Sequence, residues 1–440
     1  MTCMLIVHNK TISSLICEHY SLMQLKTIED LLVEQGTFEF RRLDNGLFPA
    51  AELGADAGYT GYNHVWVRDN IYVAFAHHLH GQNQVAVGNI RTLARYFLKH
   101  RGRFEAIIDG TADYNEPMNR PHIRFEGRNL TEMAQKWAHA ENDALGYFLW
   151  LICLLHNEGR YPLGAEEQDL LTLFVHYFET IRYWQDEDSG HWEETRKVEA
   201  SSIGVVVRGL QELRLLVSKS GTSGIGTDER TVTAELLNRL IANGENSLER
   251  ILPAESLADP RGTARRYDAA LLFLVFPMNV VSEPMGGQIV TDVIDHLMGD
   301  YGIRRYPGDS YWCADYKQRL KPEARTIDFS DNIAARDALL NPGEEAQWCI
   351  FDPIISIIHG ERYAKHRQAS DLQHQTHHFN RALGQLTDEN SPFGGFKCPE
   401  LYYLEEGRYV PNDTVPLLWT QANLWMAFKY MRRSLVLEGS

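Results

Sequence analysis

The sequence predicts an all-α fold, and three observations carry that prediction. Apolar residues recur at i, i+3, i+4 and i+7 along about a dozen stretches, as in Leu170, Leu173, Phe174, Tyr177 and Phe178. Alternating strand patterns are nearly absent, although strands take roughly a fifth of an ordinary soluble domain. Glycines stand just after several helical stretches, at Gly81, Gly102, Gly159 and Gly302, where a left-handed C-cap costs little.

In chain order the helical pattern covers 21–34, 70–80, 85–100, 142–157, 165–184 and 200–218. It resumes over 228–250, 264–276, 288–299, 345–359, 367–386 and 415–435. The one strand signal is 37–48, where Asp44-Asn45-Gly46 is a turn sequence suited to a small hairpin. Two connecting stretches, 104–130 and 301–343, are long and rich in aromatic and charged residues. Connections of that length inside a compact domain are more often functional than idle. The Ser-Gly-rich 218–226 is the best candidate for a mobile loop. No repeat or low-complexity linker divides the chain. The expected organisation is an N-terminal extension over 1–20 and one domain over 21–440.

Composition narrows the function classes. Of 440 residues, 44% are hydrophobic and 23% charged, an ordinary globular balance. The net charge of −16 argues against nucleic acid, which needs a basic face. A neutral ligand such as a sugar is indifferent to it. The six cysteines are scattered without a Cys-x-x-Cys pair, so neither a zinc site nor a disulfide framework is signalled. The first twenty residues lack the order of an export signal, and no uncharged apolar run is long enough for a bilayer. The expectation is a cytoplasmic protein without membrane contact.

Four motifs carry chemistry. Tyr62-Asn63-His64-Val65-Trp66-Val67-Arg68-Asp69-Asn70 sets an Arg–Asp pair beside aromatics. Fixed charged hydrogen-bond partners suit hydroxyls, and an aromatic face suits the C–H surface of a sugar ring. Asp69-Asn70 also has a plainer use as a helix cap. Trp137-Ala138-His139-Ala140-Glu141-Asn142-Asp143 precedes an apolar helix, where acids suit the dipole. The stretch 301–312 combines turn residues, Arg304, Arg305 and four aromatics. Gly190-His191-Trp192-Glu193-Glu194 supplies one carboxylate and Pro399-Glu400 a second. Two carboxyls across a pocket are the minimum for breaking a glycosidic bond.

Taken together, the chain resembles glycoside hydrolase family 15, the glucoamylase family, which is similar to the α and β regulatory subunits of phosphorylase kinase. The resemblance runs over 59–431. It rests on Tyr62 to Asp69, Trp192-Glu193-Glu194, Arg305-Tyr306-Pro307 with Asp309, Pro399-Glu400 and Pro416-Leu417-Leu418-Trp419, in that order. It implies an (α/α)6 toroid of alternating inner and outer helices, with the pocket built at one end. It implies Glu193 as general acid, Glu400 as general base, and Arg68 and Asp69 as the clamp on the non-reducing-end glucose. Tyr62, Trp66, Trp137 and Trp192 would be the aromatic wall, and Glu194, Arg305, Asp143 and Asp309 further sugar contacts.

The implied reaction inverts at the anomeric carbon and needs no metal or cofactor. An acid poised to donate needs a raised pKa, expected here from burial against Trp192 and from the like charge of Glu194. The base must stay ionised, and a water must fit between carboxyls roughly 6.5–9.5 Å apart. The expected activity is exo-acting α-glucosidase hydrolysis of α-glucans or oligosaccharides. The run 195–204, the segment Trp137 to Asp143 and Pro399-Glu400-Leu401-Tyr402-Tyr403 stand closer to the kinase-subunit branch. The alternative is therefore a glucan-binding regulatory protein that does not turn over.

The clusters His374, His377, His378 and His77, His78, His80 lack the His-Glu-x-x-His pattern or a completing carboxylate, so helix histidines rather than metal ligands are expected. Lys429, Arg432 and Arg433 in the last apolar helix resemble a calmodulin target. A core helix with a solvated end is the expectation there.

Overall fold

Two kinds of apolar pattern separate two kinds of helix. The stretch Asn142–Asn157 is apolar almost all round and is buried on every face, as an enclosed helix must be. Ala234–Ile251 instead buries one stripe (Leu237, Leu240, Ile241, Leu248 and Ile251) and turns its charges to solvent.

The computed structural model describes residues 5–51, 61–220, 224–226, 230–257 and 264–439. Among them, twelve helices build the frame. They are α1 (Leu22–Glu34), α2 (Val67–Leu79), α3 (Asn83–Lys99), α4 (Asn142–Asn157), α5 (Ala165–Thr180) and α6 (Ala200–Ser220). Then follow α7 (Ala234–Ile251), α8 (Leu272–Val275), α9 (Glu283–His296), α10 (Phe351–His366), α11 (Ala369–Gly384) and α12 (Leu418–Glu438). The even-numbered helices touch in sequence, α2 to α4, α6, α8, α10, α12 and back to α2, closing an inner ring. Outer helices pack on them pairwise, and α1 covers α12, so the first helix completes the last pair. The result is the expected (α/α)6 toroid.

Close inner packing needs small residues at one crossing. A Cβ on Gly146 of α4 would lie 2.9 Å from the Val206 nitrogen of α6, and one on Gly209 2.9 Å from the Gly146 oxygen. The middle of the ring is filled by rings. Tyr72 and Tyr147 share a hydroxyl hydrogen bond of 2.9 Å, and Phe273 packs against Tyr72, Trp419 and Phe351.

Each expected helix has a counterpart, but several ends move. Ser21 caps α1 with a full capping box with Gln24. The stretch expected over 264–276 shrinks to a 3-10 turn (Ala269–Leu271) and the single turn α8, because Phe276 precedes Pro277 and is forced to extended backbone. Gly81 and Gly159 do adopt positive φ, whereas Gly102 opens a short helix, Gly102–Ile108. The expected hairpin over 37–48 is absent. Leu43 and Leu47 close a turn, yet the flanking carbonyls of Thr37 and Glu39 accept from Gln421 instead of from a neighbouring strand.

Strands missed by periodicity are short. β1 (Val65–Trp66) pairs β2 (Arg124–Glu126), which pairs β3 (Thr131–Glu132); β4 (Gln347–Trp348) pairs β5 (Leu401–Glu405), which pairs β6 (Arg408–Pro411). The two-residue strands β1, β3 and β4 leave no alternation to detect, and β5 is apolar on both faces through Leu401, Tyr402, Tyr403 and Leu404. Of the stretch 218–226, positions 221–223 lie outside the described residues. Positions 1–4 and 59 do as well. The described part of 1–20 is docked on α11: the His8 N–H donates to Gly384 O at 3.0 Å, and the Asn9 amide to Thr387 O at 3.1 Å.

No helix among the described residues is long and apolar enough to cross a membrane. The histidines have local partners. His378 meets Asp352 at 2.7 Å, His77 meets Val73 O at 2.8 Å, and His80 stacks on Trp425. Arg432 and Arg433 pair with Glu29 and Glu361 across neighbouring helices.

Candidate active site

All six inner helices start at the same end of the ring, and the site residues cluster there. Arg68 and Asp69 lie in the first turn of α2, Asp143 in that of α4, and Trp419 in that of α12. Asp268 caps the 3-10 turn that leads into α8, and Trp348 stands just before α10. Helix N-termini carry partial positive charge, so this end of the barrel favours carboxylates.

Glu193 follows the 3-10 turn Gly190–Trp192 and sits in the left-handed region, φ 57° and ψ 43°. A non-glycine residue held there costs on the order of 1 kcal/mol, a strain that concentrates at functional sites. The turn aims the carboxyl into a pocket, where it keeps 20% exposure. The Trp66 indole N–H donates to its Oε1 at 2.9 Å, and Arg68 Nη1 stands 3.8 Å away. Burial pushes its pKa up, while Arg68, Arg124 and the Trp66 bond pull it back.

Glu400 is fixed by sheet pairing. Its carbonyl accepts from Cys349 N at 2.9 Å, beside the Trp348–Leu401 register pair, and its N–H donates to Thr414 O at 3.1 Å. Tyr62 Oη donates to its Oε1 at 2.7 Å, and the Asn412 amide donates to Oε2. Burial pushes its pKa up to about 7, against those two bonds and the charge of Arg305. No cation forms an ion pair with Glu400 among the described residues, so burial dominates and the ionised form that a base needs is favoured above about pH 7.

One pocket is lined by both carboxyls together with Tyr62, Trp66, Arg68, Asp69, Trp137, Trp192 and Arg305. Arg124, opposite Trp66 in the β1–β2 register, lays its guanidinium over Trp66 at 4.7 Å and Trp137 at 3.9 Å. Asp69 is only 7% exposed, and burial lifts its pKa to about 7 despite Arg68. Its capping role is not observed: the N-cap of α2 is Trp66, which makes no side-chain cap bond. Asn70 instead bonds Phe48 and Trp66 backbone.

Three expected sugar contacts stand one layer behind the wall. Asp143 receives Arg68 Nε at 2.7 Å, and Glu141 receives Arg68 Nη2 at 2.7 Å. Asp309 binds Arg305 through two bonds of 2.6 Å. Glu194 is 1% exposed and is ringed by Arg265, Arg305, Arg336 and the Tyr306 hydroxyl. Burial alone would raise its pKa, but Arg305, Arg336 and Arg265 outweigh it and hold the carboxyl far below the usual range. The expected contribution of Glu194 to raising Glu193 is thus corrected, since three arginines cancel its charge. Trp192 lines the same pocket as Glu193, and its indole N–H donates to Asp268 at 2.9 Å.

Sequence reasoning missed Arg336, Trp348 and the segment 326–329, all of which line the pocket, and it named Tyr311 only as one of the four aromatics of 301–312. Tyr311 shares a 3.1 Å hydroxyl bond with Tyr62. Their only sequence signal was membership of the long stretch 301–343 or a lone aromatic before a helix. Among the described residues no group of three or more His, Cys, Asp or Glu is disposed to hold a metal ion. The arrangement offers a carboxyl that can carry a proton, a second carboxyl across the same pocket, and a rigid rim of rings and arginines.

Comparisons with known proteins agree with this architecture. The family described as glycosyl hydrolases family 15 matches residues 38–311. The chain is 25% identical over 403 residues to the probable phosphorylase b kinase regulatory subunit alpha of Caenorhabditis elegans. That match takes in 82% of this chain but 30% of the relative, so the chain spans under a third of the length of that protein. A solved wild-type glycosidase superposes with a TM-score of 0.66 at 16% identity, over 94% of this chain and 99% of its own. The glucoamylase of Saccharomycopsis fibuligera gives 0.57 at 11% identity, over 95% and 97%. These likenesses share the fold. The chain belongs to glycosyl hydrolases family 15.

Proposed function

We propose that this family 15 member is an inverting, exo-acting α-glucosidase that releases glucose from the non-reducing ends of α-glucans or oligosaccharides. The observation that carries it is the pair Glu193 and Glu400 on one pocket, each held by a different aromatic donor. Glu193, lifted by burial, donates its proton to the leaving glycosidic oxygen. Glu400, in its ionised form, takes a proton from the water that attacks the anomeric carbon from the opposite face. The oxocarbenium-like transition state gains positive charge among carboxylates that are already in place.

Arg68 and Asp69 bind the hydroxyls of the terminal glucose, and Tyr62, Trp66, Trp137 and Trp192 cover its ring. Asp143 and Glu141 hold Arg68, and Asp309 and Glu194 hold Arg305, so four acids serve the sugar through two arginines. A pre-paired guanidinium loses little freedom when a hydroxyl arrives.

The second reading, a glucan-binding regulatory protein, is favoured by the kinase-subunit relative that takes in most of this chain. One experiment separates the two. With maltotriose and isomaltotriose, the hydrolase releases β-glucose, and Glu193→Gln and Glu400→Gln each lose at least about 100-fold, the low end for a lost acid or base. Saturable binding of either trisaccharide without glucose release would support the regulatory reading.

A further inference from the structure

The inner ring has one short stave. α8 is a single turn, ended by Phe276-Pro277, while its neighbours α6 and α10 run on for 21 and 16 residues in all. The missing turns leave a cavity of about 680 Å³ at the end of the ring opposite Glu193 and Glu400. It lies among the C-terminal ends of the inner helices, at Leu79, Leu154, Glu158, Val275 and Lys365.

Its floor is aromatic. Phe75 stands edge-on to Trp150 at 4.8 Å, and Phe276 edge-on to Tyr430 at 5.4 Å. These rings are packed against one another and bare only their edges to the cavity, with Phe75 and Phe276 at 7% and Trp150 at 3% exposure, and the half-buried Leu79, Leu154 and Val275 extend its apolar lining. Its rim is charged, but most of the charges are already spent on each other. Glu158 meets His78 at 3.2 Å, Glu283 meets Lys365 and His366, and Glu361 binds Arg433 at 3.0 Å. Two arginines keep capacity. Arg208 from α6 uses Nη2 on Glu212, while its Nε is buried without a partner. Arg362 from α10 lines the cavity and has no hydrogen-bond or ion-pair partner among the described residues. The buried Arg208 Nε is costly without an acceptor, the half-buried Arg362 carries an unpaired charge, and an anion supplies acceptors to both.

We propose that this cavity is a second binding site, for a small organic acid whose apolar body lies against the apolar lining and whose carboxylate meets Arg208 and Arg362. An apolar pocket with a few convergent polar groups is the usual form of a small-molecule site. Of the rim acids, Glu283 and Glu361 already face the cations Lys365 and Arg433, and Glu158 lies 3.2 Å from His78. The inference is independent of the reaction at the other end of the ring.

The test uses 8-anilinonaphthalene-1-sulfonate, an aromatic anion that fluoresces when shielded from water. Titration of the whole protein is expected to show one saturable site. Indole-3-acetate should displace the dye, and tryptamine, the same ring bearing an amine, should not. Arg362→Ala should weaken dye binding at least about 10-fold, the loss of one charge-assisted hydrogen bond. Leu154→Trp, which fills the cavity from its wall, should abolish it. Glu400→Gln should leave it unchanged. Circular dichroism checks that each variant is folded, and Arg362→Ala, on the cavity rim, keeps the test alive if the filled variant unfolds. Unsaturable dye uptake, equal displacement by tryptamine, or unaltered affinity in Arg362→Ala would overturn the proposal.

Discussion

The indole N–H of Trp66 donates to Glu193 Oε1 at 2.9 Å, so one aromatic residue both walls the pocket and sets the state of a carboxyl. That bond favours the ionised form, and it opposes the burial that raises the pKa of Glu193. Trp66→Phe keeps a ring but removes the donor. Glu193 then holds its proton to higher pH, so the alkaline limb of the kcat/KM profile should move to higher pH than in wild type. An alkaline limb at the wild-type position would deny Glu193 the role of proton donor.

Tyr62→Phe acts on the other carboxyl in the same direction with the opposite consequence. Without the 2.7 Å hydroxyl bond, the pKa of Glu400 climbs above about 7. Glu400 must be ionised to take a proton, so the variant's deficit in kcat/KM should be largest near pH 6. By pH 8 most of the deficit should have disappeared, because Glu400 is then ionised in both proteins. A deficit constant across pH would mark Tyr62 as a binding residue alone.

Glu194→Gln should be costly to the fold. It leaves Arg265, Arg305 and Arg336 buried around a neutral group, and breaking such a cluster typically costs about 3–5 kcal/mol. The native carboxyl titrates below its unfolded value of about 4.3. Its contribution is therefore complete above that pH and shrinks as pH falls toward the folded pKa. Calorimetry should show a large Tm gap between wild type and variant at pH 7 and a smaller one at pH 3.5.

Gly146→Val tests the contact between α4 and α6. The added Cβ would meet the Val206 backbone nitrogen at 2.9 Å, where no flexible side-chain end can yield. Overpacking of this kind costs about 1–3 kcal/mol. The urea midpoint should fall with the m-value unchanged, and a midpoint equal to wild type would mean that the ring opens freely at this crossing.

The helices were legible because each carries its own periodicity, and amphipathic Ala234–Ile251 and all-apolar Asn142–Asn157 differ on the page as they do in space. The limits of α8 were not, because an apolar run continued to a proline whose effect on Phe276 outweighs the pattern. Trp348 and Arg336 left no local trace of their place in the pocket. One rides on a two-residue strand, and the other stands in a five-residue helix within a long connection.

The sequence by itself determined the twelve helices and brought Arg68, Asp69, Glu193 and Glu400 forward as candidates, since helical spacing and local motif are properties of neighbours along the chain. Only the tertiary structure decided which acids face the pocket and which stand behind an arginine. Glu193 and Glu194 are adjacent in the chain, yet one keeps 20% of its side chain exposed and the other only 2% amid three guanidinium groups. The left-handed turn at Glu193 sends successive side chains to different sides of the wall, and ring closure supplies their partners, Arg305 and Trp66, from a connecting stretch and a short strand more than a hundred residues away.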